Sequence, residues 1–303
     1  MPFVSSYTHS LYSRAVIEDW NPSQGFYTAN GNMDAAFWVD ASDENSWNYN
    51  ANGHIDSVTD KSGNYTLHIH DDTELWRGGT LAGKYYFWFQ GNTGISTTSS
   101  GPSYATSSKQ ADNGNHWAIG LVRWENIDSS EDAFWHLDSW DGIPATNRDY
   151  AVESRGSSTN AGWTGKTDLG ASEISSTMGH EHNWTSGVDH NTWSIVAMYF
   201  NKTGNQIGAR VNGSNAHSPI NDYDTSISTN HEVHLFRSKL GTFLKGDLAE
   251  FFTFADIPGT GGTDISFIEK AEGYLAHKWN GTGIGQNILS RLPNNHPYKY
   301  SAP

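Results

Sequence analysis

Three kinds of residue in this 303-residue chain have types and spacings that bear on chemistry. The first is the acidic cluster "ENIDSSED", with Glu125, Asp128 and Glu131. A glycosidase needs an acid and a nucleophile or base facing one cleft. Spacing by three puts successive members on opposite faces of a strand, and Ser129-Ser130 reads as a turn, so the cluster does not supply such a pair. The second kind is histidine. "HIHDD" sets His68 and His70 on one strand face before Asp71 and Asp72, and "GHEH" sets His180 and His182 beside Glu181. Each offers two metal ligands, whereas a structural zinc takes about four, and neither matches the helical H-E-x-x-H pattern. Histidines bonded to neighbours or water at strand ends explain both. The third kind is aromatic: Trp135, Trp140, Trp163 and Trp184 lie in or beside long polar stretches. Such rings stack on sugars while nearby Asn, Asp and Gly bond hydroxyls; they equally plug the ends of a domain or form contacts with other subunits.

The elements that would position these residues are mostly strands. "AAFWVDA", "KYYFWFQ", "HWAIGLVRW", "TWSIVAMYF", "NQIGARVN", "EVHLFRS" and "AEFFTF" are each bounded by Gly, Asn or Pro. With 31 glycines, 13 tryptophans and only 17% charged residues, the composition points to an all-β domain with long loops. "GNTGISTTSSGPSYATSSKQADNGN", Gly91 to Asn115, reads as a low-complexity loop, and residues 138 to 187 as a second loop-rich zone. The clear helix is "DISFIEKAEGYLAHKWNG", about residues 264–280. There Ile268, Ala271, Leu275 and Trp279 form one stripe, Ser266 and Glu269 suggest a capping box, and Asn280-Gly281 a stop.

Residues 1–33 read as an N-terminal arm and attachment segment, with Phe3, Leu11, Tyr12 and Trp20 as the side chains offered to a partner; packing on its own domain is the other reading. Residues 34–303 form the domain. A net charge of −15 removes the generic attraction to phosphate, so neither nucleic acid nor an anionic membrane is an expected partner. No run is long and apolar enough for membrane insertion, and the first twenty residues lack a secretory pattern. Zero cysteines exclude disulfides and thiolate sites. The sequons "NWT", "NKT", "NGS" and "NGT" read as chance matches in an Asn/Thr-rich chain.

"WVDASD" (Trp38 to Asp43), "VTDKSGN" (Val58 to Asn64), "WSIVAMYFNKTGNQIGARVNG" (Trp193 to Gly213), "LKGDLAEFFTF" (Leu244 to Phe254) and "EKAEGYLAHKWNG…LPNNHPYK" occur in an informative order. In that order the chain resembles the laminin-G-like branch of the concanavalin A-like lectin/glucanase superfamily, over about residues 33 to 299. Its tail is similar to those of phage and environmental bacterial surface proteins. The resemblance implies a two-sheet antiparallel jelly-roll sandwich with a short C-terminal helix, with Leu248, Phe251 and Phe254 pointing inward. It also implies calcium as a candidate ion, with no ligands named, since no D-x-[DN]-x-[DN]-G loop is present. Glucanases of the superfamily are expected to alternate carboxylates on one strand, and this chain shows no such signature. The expectation is therefore a non-enzymatic bacteriophage virion structural protein, an exposed decoration, tail or fibre component. Its partners would be other virion proteins through the arm, and host-surface glycan. A free bacterial carbohydrate-binding lectin, extracellular or on the cell surface, is the alternative; a glycoside hydrolase is a third.

Overall fold

In a computed structural model of the chain, each apolar run named above becomes a strand. The structure describes residues 26–28, 31–33, 37–61, 66–70, 75–90, 94–96, 115–126, 132–139, 148–154, 167–171, 180–183, 191–201, 206–215, 220–221, 231–236, 245–255, 265–283 and 285–303. In chain order the strands are β1 (Phe26–Thr28), β2 (Gly31–Met33), β3 (Phe37–Asp40), β4 (Trp47–Tyr49), β5 (Ile55–Thr59), β6 (Thr66–His70), β7 (Trp76–Leu81), β8 (Lys84–Gln90), β9 (Gly94–Ser96) and β10 (Asn115–Asn126). They continue with β11 (Asp132–Ser139), β12 (Arg148–Ser154), β13 (Thr167–Ala171), β14 (His180–Asn183), β15 (Ser194–Asn201), β16 (Gln206–Val211), β17 (Ser214–Asn215), β18 (Ile220–Asn221), β19 (His231–Leu235) and β20 (Lys245–Ala255). Two helices follow, α1 (Ile265–Lys278) and α2 (Ile288–Arg291).

The strands build two nine-stranded antiparallel sheets, an all-β sandwich. One runs β17-β16-β15-β10-β20-β8-β7, with β3 also on β20 and β18 on β16; the other runs β14-β13-β12-β11-β19-β9-β6-β5-β4. β1 and β2 pair with each other as a separate hairpin within the segment read as the arm. Phe3, Leu11, Tyr12 and Trp20 lie outside the described residues.

β20 is the spine of the first sheet. From Gly246 to Phe254 every residue is buried, on both faces. Phe251 meets Phe37 edge-on at 5.9 Å on one face. On the other, Phe252 and Phe254 join Ile119, Leu121, Trp193 and Ile195 beneath α1. Leu248 and Phe251 are inward as expected, but Phe254 packs on the helix, because alternation sends it to the same side as Phe252. Towards the second sheet, Phe89 stacks on Phe236 at 4.0 Å, and Trp47 meets Phe87 at 5.4 Å.

α1 docks as its stripe predicts: Ile268, Ala271, Leu275 and Trp279 are each fully buried. Burial of Ile268 and Leu275 stabilises the docked helix by about 1.5–3 kcal/mol each, an upper estimate. Ser266 is not the cap. The helix begins at Ile265, so Ser266 lies inside the first turn, and the preceding Asp264 is outside the described residues. The end is held from the sheet, where Lys84 Nζ donates to the carbonyl of Lys278 at 3.0 Å.

Two stretches read as loops contain sheet. Within Gly91 to Asn115 lies β9, whose Ile95 pairs with Ile69 and Leu235. Within 138 to 187 lie β12, β13 and β14, an antiparallel ladder continuing from β11. Trp135, just before that zone, is a strand residue of β11, opposite Val152 and Leu235. The lack of an apolar run concealed these strands, because ladder hydrogen bonds come from the backbone and need none.

Candidate functional site

Three places gather side chains that chemistry could use. The first is the seam where β4, the edge of one sheet, comes beside β7 and β8 at the edge of the other. Trp47 and Tyr49, two apart on β4, share a face. Their rings lie 6.4 Å apart, and Tyr85 lies 6.4 Å from Trp47. The guanidinium of Arg77 sits 4.1 Å from the Tyr85 ring centre and 5.4 Å from that of Trp47, and it pairs with Glu44. Trp47 is buried and closes the seam, while Tyr49 is 50% exposed and Arg77 and Glu44 are open to solvent. The indole N–H of Trp47 finds no hydrogen-bond partner among the described residues. The result is a half-exposed aromatic ledge edged by a cation and a carboxylate, suited to stacking on a ring and bonding hydroxyls.

The second place lies under α1. Asp40 on β3 and Glu250 on β20 are cross-strand partners on one face, 4% and 0% exposed. Lys278 Nζ lies 2.7 Å from both Asp40 Oδ2 and Glu250 Oε2, and 3.1 Å from the Tyr274 hydroxyl. Glu250 also accepts from Trp38 Nε1 (2.7 Å), Tyr274 Oη (2.8 Å) and Trp279 Nε1 (2.7 Å). Asp40 Oδ1 accepts from the Ser42 amide (3.0 Å) and hydroxyl (2.6 Å), and Lys61 reaches Oδ2 at 3.3 Å. Burial, helped by the charge of Asp40, raises the Glu250 carboxyl above the usual range despite Lys278 and Trp279. Burial alone would raise Asp40 too, yet Lys278, Ser42 and Lys61 together hold it below. Tyr274 is raised by its burial and then by Glu250 and Asp40, so it stays a neutral donor.

The third place joins helix, sheet and C-terminal tail. Arg210 Nε and Nη2 donate to the two oxygens of Glu272 at 2.8 and 2.9 Å, and Nη2 also to the Gly213 carbonyl at 2.8 Å. His296 Nε2 donates to Glu272 Oε2 at 3.1 Å. Burial would lower the Arg210 guanidinium, but Glu272 keeps it raised and charged. "LPNNHPYK" therefore does more than cross the surface: it inserts His296, 5% exposed, into the interior.

These clusters are not those that the spacing of residues singles out. Of the four tryptophans, Trp135 lies on β11, and Trp140, Trp163 and Trp184 are outside the described residues. Glu125 lies on β10, while Asp128 and Glu131 are outside them. His68 and His70 lie on β6, and His180 and His182 on the edge strand β14. Among the described residues no three His, Asp or Glu converge to hold a metal. No described helix is long and apolar enough to cross a membrane.

No protein-family model matches the chain, and no curated protein matches it in sequence. Solved structures do match in shape. The Trypanosoma rangeli sialidase in complex with sialic acid aligns with a TM-score of 0.51 at 11% identity, over 86% of this chain and 36% of that one. An arabinofuranosidase complexed with arabinofuranosyl-alpha-1,2-xylobiose aligns at 0.50 and 11%, over 78% and 57%. The binding domain of botulinum neurotoxin DC, in complex with rat synaptotagmin II, aligns at 0.50 and 11%, over 80% and 52%. The chain thus spans between about a third and three-fifths of these proteins. What they share with it is the fold, a lectin-like β-sandwich.

Proposed function

We propose that this chain is a non-catalytic β-sandwich that binds carbohydrate, displayed on a phage particle as an exposed decoration, tail or fibre component and held by its N-terminal arm. The observation that carries the binding reading is the seam, with the half-exposed Tyr49 ring beside the solvent-open Arg77–Glu44 pair. A sugar ring on Tyr49 would lie within reach of donors and an acceptor already ordered by cation–π contact and ion pairing. Against catalysis stand the carboxylates of the interior. Among the described residues Asp40, Asp247, Glu250 and Glu272 are at most 4% exposed and each is ion-paired, and Asp60, 1% exposed, accepts from the Trp38 amide, so none of the five faces a cleft that a substrate enters. The particle location rests on the resemblance of the C-terminal tail "GYLAHKWNG…LPNNHPYK" to those of phage and environmental bacterial surface proteins. The test is a glycan array followed by titration of the best glycan. Tyr49→Ala should weaken binding about five- to thirtyfold, the loss of one stacked ring contact of roughly 1–2 kcal/mol. Unchanged binding by Tyr49→Ala removes the seam as the site, and no binding to any glycan removes the reading.

A further inference from the structure

The arrangement of Lys278, Asp40 and Glu250 exceeds what docking a helix requires. Two carboxylates directly opposite on adjacent strands repel, and neither has bulk water to screen it. A single ammonium reaches both at 2.7 Å, with Trp38, Tyr274 and Trp279 closing around it. The lysine side chain is 16% exposed and fully used as a donor. An amine and a carboxyl held in contact, out of water and beside a second carboxyl, are the reactants and the proton carrier of an amide condensation.

We infer that Lys278 Nζ and Asp40 Cγ become joined by an intramolecular amide bond, with Glu250 relaying the protons. The ammonium of Lys278 gives a proton through Glu250 to Asp40 Oδ2, leaving a neutral amine and a neutral acid. Desolvation penalises both charges and favours that exchange, while Ser42 and Lys61, which with Lys278 hold Asp40 below the ordinary carboxylate range, oppose it, so the neutral pair is a transient one. The nitrogen lone pair attacks Cγ and the C–N bond forms. Oδ1 takes the negative charge, and the Ser42 amide and hydroxyl, already on that oxygen, stabilise it. Glu250 then removes a second proton from nitrogen and delivers it to Oδ2. The Cγ–Oδ2 bond breaks, and one water leaves. Ammonium plus carboxylate yields amide plus water, nothing is oxidised or reduced, and Glu250 ends as it began. Glu250 suits the relay because its oxygen touches Nζ and its carboxyl is raised above the ordinary range, whereas Asp40 suits the acceptor because two Ser42 donors already sit on its Oδ1. The bond would tie residues 238 positions apart, β3 to the end of α1.

The test is the intact mass of the full chain under denaturing conditions. The expected mass is lower than the sequence mass by one water, and proteolysis yields one branched peptide joining the Asp40 and Lys278 fragments. Lys278→Arg, which keeps the ion pair but cannot condense, should restore the sequence mass, and so should Asp40→Ala. Glu250→Gln should slow linkage at least tenfold, with circular dichroism reporting its fold. A wild-type chain at its full sequence mass after prolonged incubation overturns the inference without any variant. So does a water loss that persists in Lys278→Arg, which marks another dehydration, an aspartyl succinimide or an amide from Lys61, 3.3 Å from the same Asp40 oxygen. A branch mapped to Glu250 overturns the choice of Asp40 as acceptor.

Discussion

Removing the Glu272 carboxylate should destabilise the protein far more than removing the whole Arg210–Glu272 pair. Arg210 is 4% exposed and Glu272 0%, and their two parallel bonds are 2.8 and 2.9 Å long. In Glu272→Ala the guanidinium stays buried without its bidentate carboxylate, beside the Gly213 carbonyl and Glu269, which is 3.9 Å away and itself partly exposed. A buried charge stripped of its partner costs about 3–5 kcal/mol. Arg210→Met leaves Glu272 with His296 alone and should cost a similar amount. The double variant Arg210→Met/Glu272→Leu removes both desolvation penalties. What remains are two lost hydrogen bonds, the acceptor of His296 Nε2 and the donor to the Gly213 carbonyl, about 2 kcal/mol together. Urea unfolding followed by far-ultraviolet circular dichroism measures all four chains, with unchanged m-values as the check that one transition is being compared. The signature is a double variant much closer to wild type than either single. If the two single costs simply add, or if Glu272→Ala costs below about 1 kcal/mol, the buried-pair argument is wrong.

Two further outcomes follow from geometry. Gly273 lies inside α1, where alanine ordinarily gains about 1 kcal/mol, but an added Cβ would fall 2.4 Å from Tyr298 Cβ. Gly273→Ala should therefore destabilise by about 1–3 kcal/mol through overpacking, read as a lower urea midpoint, and a rise would show that the tail shifts freely. Deleting residues 1–32 should leave the far-ultraviolet spectrum and urea midpoint of the sandwich nearly unchanged while abolishing incorporation into particles. Loss of folding would place the arm in the domain instead.

Where hydrophobic side chains carry the pairing, the fold was legible from sequence. "KYYFWFQ" became β8 end to end, and the stripe of Ile268, Ala271, Leu275 and Trp279 named the docking face of α1. Strands such as β9 and β13 were not, because their ladders rest on backbone bonds among Gly, Ser and Thr. The charged clusters were hidden for a different reason. Asp40, Glu250 and Lys278 sit at three distant points of the chain, and only the β3–β20 register and the last turn of α1 bring them together. "WVDASD" did carry Asp40 and Ser42, but no local spacing reveals that the partner lysine lies 238 positions on. The seam escaped likewise: Tyr49 reads as an ordinary strand residue until β7 delivers Arg77 beside it.

The central place of β20 also sets a timetable for synthesis. On one side it bonds to β10, and on the other β8 and β3 share its length, so three strands made early wait for one made late. At about 5–20 residues per second, a ribosome needs roughly 6 to 26 s to pass from the end of β10 to the end of β20. Throughout that interval the nascent chain carries aromatic strand edges with no neighbour, so chaperone supply and translation speed should govern its yield more strongly than the stability of the finished sandwich.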